Sequence, residues 1–368
     1  MKNKNRYLPG LLIVAIVWLG LTLSSWFLPL QDVSISERRK LEQLPALNFD
    51  SILSGKFALN FEKFSLDQFP FRDSFRRLKA ISTFYVFLQK DNNDIYIADG
   101  YAAKLEYPLN EKSVISAADK FTALYNKYMK EANNNIYLSI VPDKGYFLAD
   151  ANKYPALDYE KMFEIMQSNL DFAEYIDITD KLDITDYYTT DTHWRQEEII
   201  DVSKKIAEAM GVTDAILWDY SRKTANEPFY GVYYGQSALP LKSEQLHYLT
   251  NPILAACTVY NVETDEVTEL YNIEKLAGYD PYEMYLSGAA PILYIENSNA
   301  KSNRELIVFR DSFGSSLVPL LAEGYQKTTV IDTRYIDSNL IGNYVTFNNQ
   351  DVLFLYSTLI LNNSSTLK

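Results

Sequence analysis

The longest apolar run in the chain lies at its start. Residues 8–30 are apolar almost throughout and carry no charged side chain. At about 1.5 Å per helical residue, the run can cross the roughly 30 Å hydrocarbon core of a bilayer. Lys2, Lys4 and Arg6 precede it, and such a positive flank stays in the cytoplasm. The pattern favours a transmembrane anchor over residues 1–31 with the rest of the chain outside; a cleaved signal peptide, with an apolar region of about 7–15 residues, is the alternative.

The next segment, residues 32–93, mixes charges with aromatic residues at helical spacing. Phe57, Phe61 and Phe64 recur every three or four positions, and Pro70 interrupts the pattern. Because proline is poorly tolerated inside a helix, we expect two helices here. The segment is interpreted as a helical connector packed against the main domain; a partner-binding surface is the alternative.

From about residue 94, short apolar runs of strand length alternate with amphipathic stretches of helix length. This alternation is typical of an α/β domain, residues 94–368, with a mostly parallel sheet between two layers of helices. It breaks at about 212–303, a tyrosine-rich segment that we interpret as an insertion or lid outside the sheet. The main predicted strands are 136–141, 175–178, 305–309, 328–331 and 351–356, and the main predicted helices are 113–132, 159–175, 196–210 and the residues after Gly314.

Composition narrows the possible functions. The net charge of −13 argues against nucleic acid as a partner, since a phosphate backbone needs a basic patch. A single cysteine, Cys257, excludes an internal disulfide and a cysteine zinc cluster, and the two histidines lie far apart, so we expect neither metal nor cofactor. The 29 tyrosines would suit a sugar-binding surface, or reflect only a compositional habit.

Two stretches carry the candidate chemistry. Asp191 and His193 stand two apart in a loop, so the carboxylate can orient the imidazole, while Ser312 follows a buried strand at a small-residue turn. A serine there exposes its hydroxyl, and backbone N–H groups of the turn could stabilise an oxyanion. Together the three residues offer an acyl-transfer triad. Each stretch also has a structural interpretation: Asp-x-His is a common polar turn, and serine is a common helix cap.

Several other residues are weaker candidates. Lys144, Arg334, Tyr234 and Trp194 could line the cleft or stabilise an oxyanion, although such residues more often serve packing or the surface. His247, in the tyrosine-rich segment, is expected to be structural. The adjacent acids Glu197 and Glu198 are expected on the solvated face of a helix.

Both stretches resemble a known family. Residues 187–194, Tyr-Tyr-Thr-Thr-Asp-Thr-His-Trp, and residues 310–317, Arg-Asp-Ser-Phe-Gly-Ser-Ser-Leu, are similar to motifs of the bacterial DHHW proteins. These are relatives of the alginate O-acetyltransferases of the AlgX and AlgJ type, whose catalytic domain is SGNH-hydrolase-like. The first histidine of the family name is Thr192 here, and Arg310 stands where other SGNH proteins have glycine. No glycine or asparagine block is matched, which leaves the second oxyanion donor unassigned.

The resemblance implies a three-layer SGNH-like fold, with Ser312 as nucleophile, His193 as general base and Asp191 as its orienter. It further implies a bacterial O-acetyltransferase that acts on a polysaccharide through an acetyl-serine. With the N-terminal anchor, this enzyme would be single-pass and outward-facing. The acetyl donor would be a multi-pass membrane acyltransferase in the same membrane. Two alternatives remain: an acetylesterase with the same triad, and a catalytically silent protein that binds or assembles polysaccharide.

Overall fold

The computed structural model describes residues 7–368, so the basic residues Lys2, Lys4 and Arg6 lie outside the described part. The chain divides into two compact units. The first, here named the connector unit, holds the described residues up to Asn92 together with Gly235–Pro240. The second, the α/β unit, holds Asn93–Tyr234 and Leu241–Lys368.

The connector unit begins with a long apolar helix, α1, at Leu8–Phe27. Pro9 lies in its first turn, where a missing N–H costs nothing. The helix contains no charged residue, and it is long and apolar enough to cross a membrane. The other elements of this unit are β1 Val33–Ser34, β2 Arg39–Lys40, α2 Phe49–Leu53, α3 Lys56–Asp67, α4 Arg72–Ile81, a π-helical turn Ser82–Val86 and β3 Asp91–Asn92.

Ion pairs join the segments of this unit. The guanidinium of Arg39 donates to both carboxylate oxygens of Asp67, at 2.8 and 2.5 Å, and the backbone N–H of Glu42 donates to the same carboxylate at 2.9 Å. Arg72 donates to Glu37. These contacts fasten the β1–β2 turn to α3 and α4.

The α/β unit is larger and contains the main sheet. Its elements, in chain order, are β4 Ile95–Ala98, β5 Tyr101–Lys104, α5 Glu111–Leu124, β6 Asn135–Val141, α6 Gly145–Leu148, α7 Tyr159–Asn169, β7 Glu174–Tyr175, α8 Ile200–Ala209, β8 Ser221–Phe229, α9 Val232–Ser237, β9 Glu244–Thr250, β10 Thr258–Asn261, β11 Glu266–Glu269, β12 Ile292–Glu296, β13 Glu305–Arg310, α10 Gly314–Ala322, β14 Lys327–Ile331, β15 Asp351–Ser357 and α11 Thr358–Asn362. Helix α9 ends within the residues assigned to the connector unit.

Eight strands form the main sheet in the order β11-β10-β12-β14-β13-β15-β6-β7. The five strands from β14 to β7 run parallel, and β11, β10 and β12 add an antiparallel edge. The prediction of a mixed α/β domain with a large, mostly parallel sheet is therefore confirmed.

Strand residues alternate between two hydrophobic layers. On β6, Leu138 and Ile140 pack in one cluster with buried residues of α5 and α7. Tyr137 and Val141, which point the other way, pack in a second cluster with buried residues of α8 and α10. Because both faces are covered, the parallel strands are apolar on both sides, as the sequence of β6 shows.

The prediction that residues 212–303 lie outside the sheet is wrong for the last part of that segment. Strands β10, β11 and β12 belong to the main sheet. An antiparallel strand needs no crossover helix, so these three strands do not show the alternation of strands and helices that predicts a parallel sheet. Strands β10 and β11 form an antiparallel hairpin. Earlier in the segment, β8 and β9 form a separate two-stranded sheet.

Element ends also differ from the sequence pattern. The helix expected over 159–175 ends at Asn169, and the strand expected over 175–178 is only Glu174–Tyr175. The helix expected over 196–210 is split into a 3₁₀ turn, Gln196–Glu198, and α8.

Candidate active site

The candidate residues collect at the carboxyl ends of the parallel strands. Ser312 follows β13 in the turn that begins α10, Lys144 follows β6, and Arg334 follows β14. The carboxyl ends of parallel strands meet at one edge of a sheet, which is where α/β proteins bind their ligands. The loop with Asp191 and His193, between β7 and α8, reaches the same edge, because His193 contacts Ser312.

Ser312, His193 and Asp191 form a continuous line of polar contacts. His193 Nε2 lies 2.8 Å from Ser312 Oγ, and His193 Nδ1 lies 2.6 Å from Asp191 Oδ1. A proton on Nδ1, donated to the carboxylate, leaves Nε2 free to accept the serine proton. Asp191 and His193 are buried, while Ser312 is partly exposed. This is the arrangement that activates a serine hydroxyl.

Backbone groups hold Asp191 in place. Its Oδ1 accepts from the His193 N–H at 3.1 Å, and its Oδ2 accepts from the Val232 N–H at 2.8 Å. A Cβ on Gly231 would lie 2.3 Å from the backbone N and Cα of Asp191. Only glycine therefore allows the two backbones to approach this closely. Beside them, Glu244 accepts from the Thr190 N–H at 2.8 Å and from its hydroxyl at 2.7 Å.

An aromatic residue that the sequence analysis missed packs on the histidine. The ring of Tyr282 stacks on that of His193, with centroids 3.9 Å apart and planes 5° from parallel. The Tyr282 hydroxyl donates to Ser316 Oγ at 2.8 Å. No motif surrounds Tyr282, which lies in a 3₁₀ turn at Pro281–Met284, so the sequence held no signal for its role.

Trp194 is not exposed to a ligand. It is fully buried, and its indole N–H donates to the Phe313 carbonyl at 3.1 Å and to Ser316 Oγ at 2.9 Å. The indole therefore joins the loop of His193 to the turn of Ser312. The prediction that Trp194 lines the cleft is corrected to a role inside the core.

Lys144 is also buried. Its ammonium donates to the carbonyl of Tyr188 at 2.9 Å and to that of Thr189 at 3.4 Å. Its Nζ lies 5.0 Å from the centre of the Tyr233 ring. Burial lowers the pKa of Lys144 to about 7, against the opposing effect of Asp191. Lys144 thus holds the backbone directly before the Asp191 loop.

Two arginines share one carboxylate next to the nucleophile turn. Arg334 donates to both oxygens of Asp332, at 2.9 and 2.6 Å, and Arg310 lies 3.6 Å from the same carboxylate. Arg310 and Asp332 are buried, whereas Arg334 is partly exposed. A Cβ on Gly314 would lie 2.8 Å from the side chain of Arg310, so this arginine packs directly under the start of α10.

Tyr234 lies beside the Asp191 loop, whereas His247 lies on a strand of the two-stranded β8–β9 sheet. The backbone N–H of Tyr234 donates to the Thr190 carbonyl at 3.2 Å, and its ring packs on Tyr230. His247 lies on β9, with Nδ1 2.9 Å from Thr224 Oγ1 of β8.

The prediction for the adjacent acids is wrong for Glu197. The side chain of Glu197 is only 4% exposed, and Arg195 Nη1 is 4.0 Å away. Neither carboxylate oxygen accepts a hydrogen bond from the described residues. Burial raises the pKa of Glu197 to about 7. The helical pattern missed this because Glu197 lies in a 3₁₀ turn, where the helical face no longer decides exposure.

The N–H groups after Ser312 are engaged in the turn itself. The Phe313 N–H donates to Asp311 Oδ1 at 3.0 Å, the Gly314 N–H to the Asp311 carbonyl at 3.1 Å, and the Ser315 N–H to the Ser312 carbonyl at 3.1 Å. The expectation that this turn offers free oxyanion donors is therefore wrong for these three groups. Across residues 7–368, no group of three or more His, Cys, Asp and Glu side chains could hold a metal.

Solved structures resemble the chain over most of its length, although no protein-family model and no curated protein matches it. A DHHW family protein from Eubacterium siraeum matches with a TM-score of 0.58 and 21% identity, covering 75% of this chain and 95% of that one. PatB1 of Bacillus cereus matches with a TM-score of 0.59 and 23% identity, covering 73% and 96%. The O-acetyltransferase domain of Pseudomonas putida AlgJ matches at 0.45 and 12%, covering 73% and 92%.

The resemblance inferred from the two motifs is thus confirmed, since a DHHW family protein is among the structural matches. The chain has the fold of the DHHW family protein from Eubacterium siraeum and of PatB1 from Bacillus cereus.

Proposed function

We propose that the chain is a serine O-acetyltransferase that modifies a cell-surface or secreted polysaccharide. The observation that carries the proposal is the line from Ser312 Oγ through the His193 ring to Asp191, with contacts of 2.8 and 2.6 Å. A serine, a histidine and a buried carboxylate at these distances can perform nucleophilic acyl transfer.

In the first half-reaction, His193 Nε2 accepts the proton of Ser312 as Oγ attacks the carbonyl carbon of an acetyl donor. The tetrahedral intermediate collapses, the bond to the leaving group breaks, and His193 returns its proton to that group. In the second half-reaction, a sugar hydroxyl gives its proton to Nε2 and attacks the acetyl-serine. The new ester forms on the sugar, and Ser312 recovers its proton from His193.

Two neighbours assist this cycle. Asp191 keeps the proton of His193 on Nδ1 and stabilises the imidazolium that forms in each half-reaction. The face of Tyr282, stacked on the ring at 3.9 Å, adds a cation–π attraction to the same charged state. The oxyanion needs donors other than the N–H groups of Phe313, Gly314 and Ser315, since those are engaged.

The choice of an acetyl group and a sugar acceptor comes from the similarity of the two motifs to DHHW and alginate O-acetyltransferase proteins. That similarity also supports an SGNH-hydrolase-like interpretation of the three layers. An acetylesterase would use the same residues with water as acceptor. The contact between His193 and Ser312 favours an enzyme over a silent binding protein.

The proposal includes a membrane location. α1 would anchor the chain, the N-terminus would be cytoplasmic and the α/β unit outside, where a multi-pass acyltransferase would supply acetyl groups. The length and the apolar composition of α1 support the anchor. Protease added to intact cells whose outer layers have been opened is expected to digest the α/β unit. Full protection would contradict this topology.

The chemistry is tested by incubating the full-length protein, in detergent, with an activated acetyl ester. Mass spectrometry is expected to find one acetyl group, on Ser312. Ser312→Ala and His193→Ala should each abolish turnover, and the double variant should be little worse, because effects within such a unit are not additive. Asp191→Asn should be severe. His247→Ala is the matched histidine control and should keep wild-type turnover.

Adding an oligosaccharide acceptor separates the two reactions. A transferase is expected to place the acetyl group on the sugar, whereas an esterase would release only acetate. Wild-type turnover in Ser312→Ala would reject the mechanism and favour the binding-protein alternative.

A further inference from the structure

The connector unit leaves almost all of its apolar side chains uncovered. Of the described residues in this unit, only Leu41, Ala80 and Leu239 are buried hydrophobic residues, and none of them belongs to a hydrophobic cluster. In α2 and α3 together, the one buried side chain is Asp67. Soluble proteins rarely expose contiguous apolar surface on this scale, and such surface marks a site of interaction.

Exposed apolar residues continue along α4 and the following π-helical turn. We name four of them the apolar stripe: Phe71, which caps α4, Phe75 and Leu78 on α4, and Tyr85 in the π-helical turn. Phe75 and Leu78 are three residues apart and so share one face of α4. Each residue of the apolar stripe is between 43% and 71% exposed. Phe69 packs edge-on against Phe75, with ring centroids 5.5 Å apart, and widens the aromatic surface.

The opposite face of the same segment is occupied. Ala80 and Thr83 are buried there. Arg72 and Arg76 also lie on that side, and both pair with Glu37. The helix is therefore already fixed within the unit by one face, and the apolar stripe is the face left outward.

The apolar stripe continues into a run of three exposed residues. Val86, Phe87 and Leu88 follow Tyr85 directly and are 68–78% exposed. Because they are consecutive, no helical or strand periodicity could bury all of them against a single neighbouring element. Fluid lipid chains can cover all three side chains, although these point in different directions.

Lipid is the occupant that fits these observations. The connector unit contains α1, the helix able to span a membrane, and only residues 28–32 separate α1 from β1. Residues 32–92 carry ten Lys and Arg against eight Asp and Glu, whereas residues 93–368 carry 22 against 40. An anionic membrane surface would attract the first segment and repel the second.

We propose that the apolar stripe and residues 86–88 lie in the interfacial layer of the bilayer that α1 spans. Helices that lie in this layer bury an aromatic and aliphatic face and keep charged residues toward water. Arg77 and Lys79, beside the apolar stripe, could then contact lipid phosphates. The inference rests on the membrane anchor of the proposed function, and it does not depend on the chemistry of Ser312.

The test uses the full-length protein in nanodiscs of phosphatidylethanolamine and phosphatidylglycerol. Cys257 is buried and is the only cysteine, so a Cys257→Ala background accepts single cysteines for an environment-sensitive fluorophore. Leu78→Cys and Phe87→Cys report on the proposed surface, Ala15→Cys reports on the middle of α1, and Asp73→Cys, on the other side of α4, is the control. Circular dichroism verifies that each labelled variant is folded. If either Leu78→Cys or Phe87→Cys does not fold, the other variant tests the proposal.

The fluorophores at positions 78 and 87 should lose fluorescence to nitroxide-labelled lipids and resist aqueous iodide, while that at 73 should show the reverse. If iodide quenches the fluorophores at 78 and 87 while nitroxide-labelled lipid still quenches the one at 15, the interfacial surface is rejected and the membrane anchor is retained. Docking of another protein would then explain the exposed apolar residues better. Quenching by iodide of the fluorophore at position 15 would reject both the interfacial surface and the membrane anchor. Acetylation of Ser312, measured on the same samples, reports on the proposed chemistry separately.

Discussion

In the α/β unit, buried residues fill both sides of the main sheet, whereas in the connector unit no described residue belongs to a hydrophobic cluster. The connector instead relies on ion pairs such as Arg39 with Asp67 and Arg72 with Glu37. Ion pairs in which one partner keeps some solvent exposure contribute less than the burial of a whole hydrophobic core. We therefore expect the α/β unit to be stable by itself. The stability of the connector unit should depend on its ion pairs and on the surroundings that cover its exposed apolar residues.

The largest expected difference comes from removing one phenylalanine from each unit. Phe354 is fully buried and lies 4.8 and 5.0 Å, centroid to centroid, from Phe309 and Phe121. Phe354→Ala should lower the free energy of unfolding by about 3–5 kcal/mol, because it leaves a cavity. Phe61, in α3, is 44% exposed, and Phe61→Ala in detergent should cost less than about 1 kcal/mol. Urea unfolding followed by near-ultraviolet circular dichroism measures the loss of stability in each variant. Equal losses would show that the two units do not differ in how they bury their aromatic residues.

A charge should matter more than an aromatic ring in the connector. Hydrogen bonds from Arg39 hold the pKa of Asp67 at about 2, below its ordinary value of 3.8. The stability that Asp67 contributes is thus present above about pH 4 and lost as the pH falls toward 2. Asp67→Asn should destabilise the connector locally by about 1–3 kcal/mol at neutral pH. Hydrogen exchange of the Glu42 amide measures the opening, and unchanged protection would show that the ion pair is dispensable.

The α/β unit, by contrast, contains a carboxyl group that should reduce its stability. Burial raises the pKa of Glu197 from 4.5 to about 7. The folded protein then binds the proton more tightly than the unfolded chain, so stability falls as the pH rises from about 4.5 to 7 and stays lower above that range. Glu197→Gln should stabilise the protein by about 1–3 kcal/mol at roughly pH 8 and by little near pH 5. Unfolding midpoints at the two pH values test this, and a pH-independent gain would rule out the titration.

The smallest expected effect concerns the ring beside the catalytic histidine. Tyr282→Phe and Tyr282→Leu both lose the hydrogen bond to Ser316, but only the leucine loses the stacked aromatic face. Since a cation–π contact is worth about 0.5–2 kcal/mol, turnover of the leucine variant should be about 3–30-fold below that of the phenylalanine variant. KM should be similar in both. Equal kcat values would reduce Tyr282 to a packing residue.

Patterns that depend on local sequence predicted the parts of the molecule closest to Ser312. A buried strand followed by small residues placed Ser312 at the end of β13, and Asp-x-His spacing placed Asp191 beside His193. Tyr282 could not be predicted, because its contact with His193 joins positions 89 residues apart that no motif connects. Lys144 was a weak candidate for the cleft, but its burial, and hence its role in holding a backbone, depends on long-range packing.

The antiparallel edge strands were missed for a related reason. Thr258–Asn261 and Ile292–Glu296 are short and have no α-helix between them, so they do not show the alternation that identifies parallel strands. They are placed by long-range pairing, because β12 pairs with β14 and β10 pairs with β12. Exposure in the connector was also unpredictable, because the aromatic spacing that marks a helix is the same whether its partner is protein or lipid.

The strand order has a consequence for biogenesis. β15, made from residues 351–357, lies between β13 and β6, so the middle of the sheet is completed by the strand that is synthesised last. Until it arrives, the edges of β6 and β13 lack their shared neighbour, and Asp311 lacks the Ser357 N–H that donates to it at 2.8 Å. In the outward-facing topology proposed above, a nascent chain leaving the translocon would therefore remain unfolded in the middle of the sheet until about residue 350 had been synthesised. Folding would close only afterwards, on the far side of the membrane.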